Sequence, residues 1–138
     1  MKQVFNGWAL LFLLLCTSLV VVTVKAQVPQ SYRQRLVSRT WSPTNIPEAT
    51  YSFSTDSVFF RYNNPSLSVD ASADAGYYFS ETFDTVFNSS KVGVQELGTF
   101  LIMESTQGRA FAFRIVSIDT DTLKFWTNNH LWIWHSVE

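Results

Sequence analysis

Leu123-Lys124-Phe125-Trp126-Thr127-Asn128-Asn129-His130-Leu131-Trp132-Ile133-Trp134 reads as two strands around a two-residue turn. Asn tolerates positive φ better than most residues, so Asn128-Asn129 suits the turns that match the twist of a hairpin. Counting outward pairs Trp126 with Leu131, Phe125 with Trp132, Lys124 with Ile133 and Leu123 with Trp134. Leu123, Phe125, Trp132 and Trp134 then share a face without charge, the expected core face. Lys124, Trp126, Leu131 and Ile133 share the other. Three of those four are apolar, so Trp126, Leu131 and Ile133 form a candidate contact for a protein partner.

Alternation of the same kind runs back to Thr50. Tyr51 and Phe53 alternate with serines, Thr55-Asp56 supplies turn chemistry, and Val58, Phe60 and Tyr62 follow. Asn63 to Gly76 is polar and small-residue-rich, and reads as the longest loop. From Tyr77 to Phe87 alternation resumes, with Phe79, Glu81, Phe83 and Phe87 of one parity. Val92 and Val94 open a further strand, Gly98 breaks it, and Phe100 and Ile102 oppose Leu101 and Met103. Phe111, Phe113 and Ile115 alternate with Ala110, Ala112 and Arg114. Ile115 and Ile118 have opposite parity, so a bulge must lie between them if both face the core. The expectation is an all-β domain, an antiparallel up-and-down meander of eight or nine strands. Closure into a barrel removes the sheet edges and is expected over a two-sheet sandwich.

A short N-terminal helix precedes the strands. Ser31-Tyr32-Arg33-Gln34 has the spacing of a capping box, and Pro43 and Pro47 stop the helix from passing Trp41. Tyr32 and Leu36 are four apart and share a face.

Before it, Lys2 and the apolar run Trp8 to Val24 lead to Val24-Lys25-Ala26, the pattern of a secretory signal cleaved after Ala26. The expected organisation is a signal over 1–26, a linker and short helix over 27–35, and the barrel domain over 36–138. An uncleaved signal anchor is the alternative, because an apolar run of about 17 residues sits at the lower edge of spanning length. Cys16 lacks the small preceding residue of a lipidation site. An exported location, periplasmic or secreted, is the expectation.

Cleavage would leave eight Lys and Arg against eleven Asp and Glu, a charge of −3. That balance argues against nucleic acid or an anionic membrane surface as partner. Cys16, the only cysteine, lies within the signal, so no disulfide would staple the mature domain, which must stand on its aromatic core.

Several segments together resemble the lipocalin-like small barrels of Bacteroidetes secreted proteins and lipoproteins. Leu36-Val37-Ser38-Arg39-Thr40-Trp41 is similar to that family's opening of leucine, glycine, any residue and tryptophan, with Arg39 where glycine is usual. Tyr51 to Val58 resembles its strand-and-turn "tFnsdGtv", with Ser57 for glycine. Ile115-Val116-Ser117-Ile118-Asp119-Thr120-Asp121-Thr122-Leu123-Lys124-Phe125 is close to its "I..Ls.dtLtl". The arginine that lipocalins carry on the last strand has no match in Trp132-Ile133-Trp134-His135. The resemblance implies a lipocalin-like β-barrel.

Catalytic chemistry has little to work with. His130 and His135 have opposite parity in their hairpin, so no metal site is expected. No Gly-x-Ser-x-Gly elbow is present, and no histidine is placed to activate a serine. Neither a cofactor nor an enzymatic activity is expected. Glu81, on the parity of Phe79 and Phe83, is either turned outward by a bulge or the one carboxylate inside an apolar interior. With an arginine beside it, Glu81 could serve an enzyme, the weakest of the three functional readings. The first reading is a non-enzymatic barrel that binds a small apolar ligand among Phe79, Glu81, Phe83, Phe111, Phe113 and Trp132. Asn63 to Gly76 would lie over the mouth. The second is a packed structural or protein-interaction module of the cell envelope.

Overall fold

A computed structural model describes residues 30–137. The signal, anchor and cleavage expectations fall on residues outside that range. Among the described residues no helix is long and apolar enough to cross a membrane.

Helix α1, Tyr32–Val37, opens with the anticipated capping box. Gln34 N donates to Ser31 Oγ at 3.2 Å, and Ser31 N donates to Gln34 Oε1 at 3.1 Å. Eight strands follow: β1 Thr40–Pro43, β2 Ala49–Phe53, β3 Ser57–Asn64, β4 Val69–Ser80, β5 Phe100–Glu104, β6 Ala110–Ile118, β7 Thr122–Thr127 and β8 His130–Val137. Each pairs antiparallel with the next, and β8 returns to β1, closing the barrel. Pro43, which has no N–H to donate, sits where β1 pairs with β8 but no longer with β2.

The C-terminal hairpin has the register read from its sequence, from Trp126↔Leu131 to Leu123↔Trp134. Asn128 and Asn129 both take positive φ, 49° and 58°. The register of β6 on β7 shifts between Ile115 and Ser117. That one-residue bulge turns both Ile115 and Ile118 toward the core.

Inward side chains fill the barrel. Trp41, Phe53, Tyr77, Phe79, Leu101, Leu123, Phe125 and Trp134 are buried in one cluster. Trp134 meets Tyr51 in a stack at 4.3 Å and Phe125 edge-on at 5.4 Å. Trp41 Nε1 donates to Leu36 O at 2.9 Å, which fixes α1 across one end. Through that end α1 inserts Arg33, only 4% exposed. Its guanidinium donates to the carbonyls of Thr55 and Gln95 and pairs with Glu96 at 3.1 Å. It also lies 5.6 Å from the Tyr77 ring centre and 5.8 Å from that of Phe79. The cation at the closed end therefore comes from the helix, not from the last strand. Burial pushes the Tyr77 hydroxyl up to about 12, and it donates to Ser54 O at 2.6 Å.

Three expectations need correction. Asn63 to Gly76 is not a loop. It comprises the end of β3, a single 3-10 turn at Pro65–Leu67 and the first two thirds of β4. Asn64 accepts from Leu67 N and Ser68 takes φ 50°, so a tight turn forces pairing on residues of low strand propensity. Second, β4 ends at Ser80, where Ser80 Oγ accepts from Thr82 N and diverts the chain. Glu81, Phe83 and Phe87 thus lie beyond the strand. Third, Val92 and Val94 lie in the connection from β4 to β5, residues 81–99, and not in a strand.

Trp134→Ala should cost roughly 3–5 kcal/mol, the range for emptying a buried aromatic site. Trp126→Ala, on the outer face, should cost less than about 1 kcal/mol. Urea unfolding measures both; equal losses would contradict the register.

Candidate functional site

The connection 81–99 folds back over the outside of the barrel. Tyr78, Ile102 and Ala112 face outward from β4, β5 and β6, yet are buried beneath it. Phe87, Val92, Phe100 and Ala110 pack against that second cluster. Gly98 permits the return to β5, because a Cβ there would meet Ser80 N at 2.8 Å.

Two anchors hold the connection. One is Glu96, bound by Arg33 and by Ser31 Oγ at 2.9 Å. The other is Asp84, whose carboxylate accepts from Tyr78 Oη at 2.7 Å, Lys91 Nζ at 2.8 Å and Thr82 Oγ1 at 2.7 Å. The bond from Lys91 leads in lowering the Asp84 carboxyl to about 2. Burial, with the bond to Asp84, pushes Tyr78 up to about 12.

Where the connection stops short of β7, a groove of about 640 Å³ opens on the outer face. Ala110 and Ala112 form its floor, since their short side chains leave depth between bulkier neighbours. Phe83 from the connection and Phe100 from β5 stand on one side, edge to face at 5.8 Å. Trp126 stands on the other, and the Thr127 to Asn129 turn closes an end. Phe83 is 65% exposed and Trp126 44%. Phe100, Arg114 and Trp126 are successive cross-strand partners, and Leu131 extends the row onto β8. The Arg114 side chain makes no hydrogen bond or ion pair with any described residue, and no carboxylate lines the groove.

Of the six residues expected to line a ligand site, Phe83 and Phe111 come together on the outer groove, and the other four do not join them. Phe79 is buried in the core. Phe113 and Trp132 are half-buried on the inner face, and Phe113 lies 5.8 Å from Phe125. Phe111 shares their parity but stands exposed at the rim opposite α1, where it also lines the outer groove. Glu81 is exposed outside the barrel, where its carboxylate accepts from Thr99 Oγ1 at 2.7 Å. Phe83 is also outside. Of the candidate partner surface, Trp126 and Leu131 are exposed and Ile133 is half-buried. His130 and His135 are both exposed, and His130 packs edge-on against Trp132 at 5.2 Å. The sequence points to Arg114 only as a possible partner for Glu81, and not at all to Ala110, Ala112 or Phe100 as site residues. Their signal was the pairing of two alanines with aromatics on one face of adjacent strands. No protein-family model, curated protein or solved structure matches the chain.

The depressed Asp84 carboxyl implies stability that is present in full above the ordinary aspartate range, near pH 4, and lost as pH falls through about 2. Screening at this surface site limits its worth to roughly 1 kcal/mol. Urea unfolding at pH 5 and pH 2.5 should therefore weaken the protein more than its Asp84→Asn variant. An identical acid loss in both would remove Asp84 as an anchor.

Proposed function

We propose that this protein is a non-enzymatic, lipocalin-like barrel, exported from the cell, that binds a small apolar ligand in the outer groove over β5, β6 and β7. The observation that carries this reading is the contrast between the two faces. Inside, Trp41, Tyr77, Phe79, Phe125 and Trp134 already fill the space with one another. Outside, exposed aromatic walls flank an alanine floor with room for a ligand. Small-molecule sites have this character, an apolar concavity of some hundreds of cubic ångströms with a few polar groups. The resemblance to secreted small barrels and the signal-like N-terminus support export. A second reading, a protein-interaction module, draws on the continuation of the exposed row from Trp126 to Leu131.

The neutral fluorescent probe N-phenyl-1-naphthylamine should bind with a micromolar dissociation constant, about −8 kcal/mol. The double variant Phe83→Ser/Trp126→Ser should weaken it at least tenfold while its circular dichroism stays that of the parent, because both side chains are exposed. Undiminished binding would place the site outside the groove. Folded protein that binds no probe would favour the interaction module.

A further inference from the structure

Arg114 is the one arginine in the lining of the groove. It stands between Phe100 and Trp126 in a cross-strand row and lines the groove, yet no described carboxylate answers it. Of the acids of the neighbouring connection, Asp84 is paired with Lys91 and Glu96 with Arg33, while Glu81 accepts from Thr99 and does not line the groove. The lining of the groove therefore carries one positive charge and no carboxylate among apolar walls. A guanidinium presents a planar fork of donors that matches a carboxylate in two parallel hydrogen bonds. Arg114 is exposed between Phe100 and Trp126, so a carboxylate can reach its guanidinium without displacing either ring.

We propose that the groove selects an amphiphile with an apolar body and a carboxylate head, the body on Ala110 and Ala112 between Phe83 and Trp126, the head on Arg114. This rests on the outer-groove reading above and names its ligand class. The size of the groove favours a small molecule over a peptide. Its volume of about 640 Å³ is bounded by the Asn128-Asn129 turn at one end. The amides of those two residues offer a carboxylate or a neighbouring hydroxyl further partners along the same wall.

Displacement of N-phenyl-1-naphthylamine by decanoate and by decanol tests it at neutral pH. Decanoate should bind about tenfold more tightly than decanol. The preference should shrink with added salt, fall to near unity in Arg114→Gln, and be partly retained in Arg114→Lys, which keeps the charge without the fork. Equal affinity for decanoate and decanol in the parent protein would overturn the carboxylate assignment while leaving the apolar groove standing. Failure of both to displace a bound probe, or of the probe to bind, would remove the groove reading itself and the inference with it. Tighter competition by an acetylated tripeptide ending in a free phenylalanine carboxylate would assign the groove to a protein C terminus and overturn the small-amphiphile proposal.

Discussion

The width of an eight-stranded barrel governs the rest of this structure. At that strand number the interior holds about the volume of its own inward side chains. Closure removes the sheet edges, but the interior must then be filled at near-crystalline density or the sheet collapses. No cysteine lies among the described residues, so no disulfide bridges them and packing carries the load. Trp41, Tyr77, Phe79, Phe125 and Trp134 supply most of the bulk, in tilted, stacked and edge-on contacts. Arg33 plugs the end beneath α1 with its charge satisfied by two carbonyls and Glu96. A buried guanidinium is tolerable only when paired and hydrogen-bonded in this way.

Filling the interior leaves the outer face as the place where a concave surface can form. The connection 81–99 gives β4, β5 and β6 a second buried face, so Tyr77-Tyr78-Phe79 and Leu101-Ile102-Met103 are apolar without a break. Continuous apolar runs mark strands covered on both sides. The cover reaches as far as Phe83 and leaves Ala110, Ala112 and Trp126 as the floor and far wall of a groove. Anchors at Asp84 and Glu96 hold that edge of the cover in place. The remaining open edge, on β4 from Val69 to Ala75, pairs only with β3. It is blunted by the Arg61–Asp70 ion pair and by Glu104, whose carboxylate accepts from Gly76 N at 3.2 Å.

Local chemistry was legible in the sequence, and long-range cover was not. The Asn128-Asn129 hairpin, the Ser31 capping box and the bulge between Ile115 and Ile118 each follow from turn, cap or parity rules within a few residues. Asn63 to Gly76 misled because Ala, Ser and Asp are poor strand formers, and only pairing with β3 makes them one. Alternation alone points Phe83 inward, because it takes no account of the Ser80 turn that ends β4. The groove was half legible. Trp126 and Leu131 were surplus apolar residues on an outward face, as the structure has them. Their neighbours Phe100, Arg114 and Ala112 come from other strands, and strand order alone does not reveal which outer residues a returning connection leaves uncovered.

The most direct test of recognition on the outer face is residue-level NMR mapping of N-phenyl-1-naphthylamine on the isotopically labelled protein. The account predicts shifts in the Ala110 and Ala112 amides and in the Trp126 indole N–H, with Leu101, Leu123 and the Trp134 indole unmoved. Shifts concentrated on Leu101, Leu123 and Trp134, with the Trp126 indole unchanged, would mean that the barrel opens to hold its ligand inside, and would contradict it.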